Sequence, residues 1–282
     1  MQNILNHQIF KRKIWLRTVI QVFFFVLVAA IAFNHTQFEK AADGQTFAFL
    51  PFASVHAICP FGGVENIYYH FTTGAMLPKI QESSGMLMLI VFAMTLLFGP
   101  VFCGWVCPFG TIQEWVGKIG KLIFKRRYNR FIPYKFDKYL RYARYLVLAW
   151  VIYMTATTAT LFFANYDPYF LMFHFWTGEV AIGGIVFLAV TLLASLFVER
   201  PWCKYACPYG AVLGIFNLFS IFRIKRVEAT CTACKLCTRN CPMNIPVHQL
   251  NEVRDHQCIG CLECTSDAIC PAGDTVTFKA GK

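Results

Sequence analysis

Cys231-Thr232-Ala233-Cys234-Lys235-Leu236-Cys237-Thr238-Arg239-Asn240-Cys241-Pro242, answered by Cys258, Cys261, Cys264 and Cys270-Pro271, is the stretch that decides the C-terminal fold. Cysteines at i, i+3 and i+6 let one tight loop present three thiolates to three corners of a cubane, leaving the fourth corner to a distant cysteine before a proline. In two-cluster ferredoxins that fourth cysteine serves the other cluster. The spacing therefore assigns Cys231, Cys234, Cys237 and Cys270 to one 4Fe-4S cluster, and Cys258, Cys261, Cys264 and Cys241 to a second. Five residues separate Cys264 from Cys270 where three are usual, so this arm needs a small bulge. Structural zinc prefers two separated cysteine pairs to a triplet. The thirteen cysteines match metal ligation better than a disulfide framework, and the clusters call for a reducing compartment.

Working outward, the setting of this unit is apolar: 57% of the 282 residues are hydrophobic and 15% are charged. Composition indicates an integral membrane protein, mainly α, a polytopic bundle of about four transmembrane helices of about 20 residues each. Residues 1–224 form the membrane domain, and residues 225–282 a cytoplasmic ferredoxin-like α+β domain. The expected spans run roughly from Ile14 to Phe33, Met86 to Phe102, Tyr142 to Ala164 and Val180 to Val198, the second with a kink at Gly99-Pro100. The N-terminus carries Lys11, Arg12, Lys13 and Arg17, and nine basic residues from Lys118 to Arg141 follow the second span. Both belong on the cytoplasmic side of a bacterial-type inner membrane, with both termini cytoplasmic. The net charge of +11 needs no nucleic acid to explain it. A basic N-terminus before an apolar run also fits a signal peptide, with Ala30-Ile31-Ala32 as a cleavage site, but the run is longer than a usual signal core and reads as a retained anchor.

The membrane part repeats. Gly99-Pro100-Val101-Phe102-Cys103-Gly104-Trp105-Val106-Cys107-Pro108-Phe109-Gly110 ends the second span, and Arg200-Pro201-Trp202-Cys203-Lys204-Tyr205-Ala206-Cys207-Pro208-Tyr209-Gly210 ends the fourth, as parallel copies of one hairpin. Interfacial helices are expected after each. The first would carry Ile112, Trp115, Val116, Ile119, Leu122 and Ile123 on one apolar face; the second, from Ala211 to Phe222, is apolar almost all round.

Paired CxxxCP motifs at the ends of spans, followed by a two-cluster ferredoxin unit, resemble the NapH family, polyferredoxin-type membrane components of quinol dehydrogenases with relatives in nitrous-oxide respiration and copper-oxidase assembly. The resemblance covers nearly the whole chain. It implies electron exchange among the quinone pool, the clusters and a redox partner protein: a cytochrome, reductase, ferredoxin or flavoprotein. Cysteines four apart on a helix share a face, so Cys103, Cys107, Cys203 and Cys207 are candidates for an additional metal or cluster. A dithiol relay and simple packing at helix ends are the alternatives.

On the outer side, His56, Glu65, His70 and His174 stand among aromatic residues and are candidate proton acceptors for a quinone or quinol site, an interfacial aromatic belt being the plainer reading. Cys59 is a lone outer cysteine. No span has a central histidine, which argues against a bundled b-haem, and no nucleotide-phosphate loop or dinucleotide fingerprint stands in a convincing context. Since one tunnelling step cannot cross about 30 Å of hydrocarbon, quinone chemistry near the cytoplasmic CxxxCP motifs is preferred over the outer face. Three functional classes follow: an electron-transfer subunit, a copper reductase or assembly factor for a respiratory metalloenzyme, and an interaction module in which the clusters only stabilise the fold. The first accounts for most of the pattern.

Overall fold

The computed structural model describes residues 2–40, 82–158, 166–175 and 182–280. In chain order the helices are α1 (Gln2–Lys40), α2 (Glu82–Phe98), α3 (Pro108–Phe124), α4 (Tyr134–Leu140), α5 (Ala143–Thr158), α6 (Pro168–His174), α7 (Ile182–Ala194), α8 (Pro201–Tyr205), α9 (Pro208–Asn217) and α10 (Leu236–Arg239). Two strands, β1 (Phe222–Arg226) and β2 (Val276–Ala280), pair antiparallel with Ile224 opposite Phe278. They close the C-terminal unit on itself.

Residues 15–34 of α1 form a 20-residue run of mean hydropathy 2.3, the one described helix long and apolar enough to cross a membrane. The cores of the second, third and fourth expected spans appear as α2, α5 and α7, with 17, 16 and 13 described residues. These helices wear their apolar side chains outward: Phe23 and Val26 on α1, Leu89 and Ile90 on α2, Val186 and Val190 on α7 are exposed. Polar groups turn inward. Thr95 and Thr191 are buried and return their hydroxyls to the Val91 and Phe187 carbonyls four residues back. In water this distribution would be inside out.

The repeat is visible in three dimensions, and its halves are exchanged. α2 of the first copy packs on α9 of the second. Reciprocally, the segment that ends α7 lies on α3: a Cβ on Gly120 would stand 2.1 Å from the Leu196 carbonyl oxygen, so only glycine admits this approach. α1 packs on α3 and on the turn before it, and α5 packs on α9.

α3 turns its apolar stripe away from the protein core. Its buried face is Phe109, Gly110, Gln113, Glu114, Gly117 and Gly120, while Ile119, Leu122 and Ile123 are exposed. Small and polar residues face the protein because two backbones approach there closely, and the apolar stripe is left for an apolar surrounding.

Candidate functional site

The CxxxCP motifs follow α2 and α7, and neither pair of cysteines shares one regular helix: Cys203 lies in the short α8 and Cys207 after it. Cys103 lies in a five-residue π turn, Phe102–Val106. Cys107 and Cys207 are extended, with ψ of 112° and 113°. The reason is local: a residue preceding proline is pushed out of the helical region, and Pro108 and Pro208 then open α3 and α9 at the position that needs no N–H donor.

The two turns place the four thiols within electrostatic reach of one another. Burial and then Cys203 push the Cys107 thiol up to about 12. Cys207 is raised by burial first and then by Cys203, Cys103 and Cys107; Cys103 is raised by burial, Cys107 and Cys203. N–H groups converge on these sulfurs. Gly210 donates to Cys207 Sγ at 3.3 Å, the amides of Gly110 and Phe109 donate to Cys107, and Gln113 Nε2 reaches Cys203 Sγ at 3.5 Å.

Two buried arginines complete the setting. Arg200 and Arg144 each act electrostatically on Cys103 and Cys203, and in each the Nε–H is buried with no hydrogen-bond partner. Arg200 holds a left-handed backbone, φ 50°, a strained choice for a residue with a side chain. Its guanidinium donates to the Cys103 carbonyl and to Glu114 Oε2, the latter at 2.6 Å. Glu114 also receives Arg17 at 2.6 Å. Burial alone would raise that carboxyl, but Arg200 and Arg17 outweigh it and hold it at about 2. Two unsatisfied cationic donors beside four protonated thiols are the environment that an anionic metal–thiolate group would neutralise. These residues fit an iron-sulfur cluster, which ionises its thiols on binding and is tuned by hydrogen bonds to sulfur.

The electrostatic neighbours of the C-terminal cysteines follow the expected exchange of last members, with Cys237 also acting on Cys264 across the two sets. Cys264 is buried and raised well above its ordinary value, by burial and then by Cys261, Cys241 and Cys258. Cys237 is raised by burial and feels Cys234 and Cys270. Cys270 is 8% exposed, and the 3-10 turn Glu263–Thr265 with the Cys270 N–H to Ser266 carbonyl bond at 2.8 Å absorbs the two extra residues before it. Left-handed residues at Ala233, Lys235, Gly260 and Leu262 turn the loops between cysteines. The Ala233 amide and Arg226 lower the Cys231 thiol, and the Gly260 amide donates to Cys258. Among the described residues no three His, Cys, Asp or Glu side chains close on a point as one metal ion requires.

The four-cysteine site touches the Cys258 group directly. A Cβ on Gly104 would lie 2.5 Å from the Ile259 carbonyl oxygen and 3.2 Å from the Cys261 nitrogen, so the missing side chain is what lets the loops meet. Trp105 Nε1 donates to the Gly260 carbonyl at 3.0 Å. Arg17 spans the junction, pairing with Glu114 and with Glu263 at 2.7 Å. On the other side, Arg144 donates to the His256 carbonyl at 2.6 Å.

Of the outer candidates, His174 is buried against Phe170, its ring stacked at 3.9 Å and its Nδ1 3.1 Å from the Phe170 carbonyl. His56, Glu65 and His70, with Cys59, lie outside the described residues. Sequence reasoning passed over Arg17, Glu114, Arg144 and Arg200. The available signal was a charge of either sign within an apolar stretch beside a CxxxCP motif.

A two-strand unit carrying exchanged cysteine sets, joined to a helical repeat with four more, defines a ferredoxin-type iron-sulfur electron-transfer protein. A family model described as a 4Fe-4S binding domain matches residues 83–127 and 180–226, which are the two CxxxCP copies. The chain is similar to the putative electron transport protein YccM of Escherichia coli, 31% identical over 264 residues, covering 91% of this chain and 72% of that protein. It is also similar to an uncharacterised protein of Methanocaldococcus jannaschii, MJ0750, 28% identical and covering 81% and 90% of the two chains. Ferredoxin-type protein NapH of Escherichia coli is 30% identical over 117 residues, 42% of this chain and 38% of that one. No solved structure matches. The chain belongs to the ferredoxin-type 4Fe-4S family that includes YccM and NapH.

Proposed function

We propose that the protein is a membrane-embedded electron relay with three iron-sulfur centres in series, exchanging electrons between the quinone pool and a redox partner protein. The centres would be held by Cys103, Cys107, Cys203 and Cys207; by Cys258, Cys261, Cys264 and Cys241; and by Cys231, Cys234, Cys237 and Cys270. A 4Fe-4S cluster supplies one-electron storage at each. The observation that carries this reading is the Gly104 contact, which joins the first cysteine set to the second through touching backbone. Further support comes from the match of a 4Fe-4S family model to the CxxxCP copies. Cys234, exposed at the far end, offers the partner a way in.

The outward apolar side chains of α1, α2 and α7 and the inward Thr95 and Thr191 favour a multi-pass bundle of four spans with the cysteine sites on the cytoplasmic side. Membrane domain and ferredoxin domain then meet near residue 222, where β1 begins, and the expected boundary at residue 224 falls inside that strand.

The test is anaerobic spectroscopy of the detergent-purified chain, with iron counted first and a hydroquinone analogue then mixed in. We expect about twelve irons, four per cluster, and reversible bleaching of the iron-sulfur absorption. Intact clusters that respond to quinone in neither direction would remove quinone chemistry from this chain and leave the electron source to a partner.

A further inference from the structure

A cavity of about 570 Å³ opens where the turn after α3 meets α10, and its lining is lopsided in charge. Lys121, Lys125, Arg130 and Arg239 surround it against one carboxylate, Glu199. That carboxylate is already committed: it is buried and takes Lys121 Nζ at 3.0 Å. Lys125, Arg130 and Arg239 pair with no carboxylate among the described residues, so three like charges line one hollow without a counter-ion. Like charges held close together cost free energy that an anion in their midst recovers.

The hollow has fixed walls. Tyr128 is buried in its lining, and its hydroxyl donates to the Ser195 carbonyl at 3.2 Å. Asn129 Nδ2 donates to the Pro242 carbonyl and to Asn244 Oδ1, each at 3.0 Å, and the Asn129 carbonyl accepts from Asn244 Nδ2 at 3.0 Å. These bonds hold the turn after α3 against the residues that follow Cys241, so the cations of the membrane domain and Arg239 of α10 share one space. Lys125 stands where a helix commonly ends in glycine, with a left-handed φ of 46°, and strain of this kind concentrates at ligand sites. Phe124 and Phe131, next to Lys125 and Arg130 in the chain, cluster with Phe197 at ring-centre distances of 5.2 to 5.7 Å. Phe131 and Phe197 are exposed, as are Leu122 and Ile123 of α3.

Resting on the membrane reading above, we propose that this cavity binds the phosphate of an acidic phospholipid, with the acyl chains lying over Phe131, Phe197 and the apolar stripe of α3. Unpaired cations select a negative headgroup over a zwitterionic one, and exposed rings beside them serve a ligand with a hydrocarbon part, which free phosphate lacks. Cations that only mark the cytoplasmic side would belong to the loops between spans. Arg239 instead comes from the ferredoxin unit, between Cys237 and Cys241. The headgroup therefore bridges the cluster-bearing unit and the bundle.

The experiment is native mass spectrometry of the detergent-purified, iron-loaded chain, titrated with dioleoylphosphatidylglycerol or with dioleoylphosphatidylcholine, which differ only in headgroup. Phosphatidylglycerol should bind at least about tenfold more tightly. Lys125→Gln, Arg130→Gln and Arg239→Gln together should weaken it about a hundredfold, about fivefold per cation, with iron content unchanged. All three side chains are exposed, so their loss leaves the fold standing. Arg127→Gln with Lys135→Gln and Lys138→Gln removes the same charge outside the cavity and should leave the affinity near that of the natural chain. Equal losses in the two triple variants would mean diffuse surface charge and overturn the site. Inorganic phosphate that binds the natural chain but not the cavity variant, with no preference between the lipids, would overturn the lipid in favour of a soluble anion. Displacement of phosphatidylglycerol by equimolar poly-glutamate would overturn it in favour of an acidic protein. A chain that needs detergent yet shows no headgroup preference would overturn this site alone, and a chain soluble without detergent would overturn the membrane reading with it.

Discussion

At the scale of residues, the most consequential side chain after the cysteines is Glu114, which holds two buried arginines at once. Removing its charge in Glu114→Gln strands Arg200 without a counter-ion and leaves Arg17 only Glu263, and breaking a buried pair costs about 3–5 kcal/mol. Its pH signature has a definite sign. The folded carboxyl is held at about 2, below the ordinary 4.5, so its contribution is complete above about pH 4.5 and fades as pH falls toward 2. Denaturant titrations of the iron-free chain from pH 6 to pH 3 should show the natural protein losing about 2 kcal/mol that the glutamine variant never had. Gly104→Val tests the loop junction. With the Ile259 oxygen 2.5 Å from even a Cβ, the loops must part; we expect full iron content, slower equilibration between centres in flash-reduction kinetics, and about 1–3 kcal/mol of lost stability from overpacking. The cysteines were legible in the sequence because chelation repeats at short spacing. The arginines were not, because Arg17 and Glu114 are 97 positions apart and their pairing exists only once the bundle forms.

Among the elements, α3 shows where pattern reading succeeds and where it stops. The helix and its apolar stripe were legible from Ile112 to Ile123, while the close packing on the opposite face was not, since periodicity says that residues share a face and not what the other face meets. Gly117 and Gly120 were the better pointers to the packed side, because a Cβ on Gly117 would lie 2.3 Å from the Tyr128 hydroxyl. The four-span arrangement makes its own prediction at this scale. A reporter that is active only outside the cytoplasm, fused after residue 178, should give strong signal, and one fused after residue 130 should give none. The opposite pair of results would invert the bundle and place the iron-sulfur sites on the other side. The CxxxCP turns teach a similar lesson: a helical face was expected for Cys103 and Cys107, and the proline after each second cysteine instead unwinds the chain and turns the thiols toward one another.

Across the whole molecule, the proposed relay requires the cysteine sets to be separable sites. Replacing Cys103, Cys107, Cys203 and Cys207 together with serine should lower iron from about twelve to about eight atoms per chain, with the remaining centres still reducible by dithionite. Loss of all iron would mean that the C-terminal unit is assembled only on a filled membrane-end site. The exchange of packing between the two copies reaches further. Because α2 rests on α9, and the carbonyl of Leu196 fills the groove of Gly120 on α3, each hairpin carries the surface that its counterpart lacks. Such an arrangement is a dimer written on one string: severed between the copies, the two fragments should find each other when made together in one cell, and neither alone should persist.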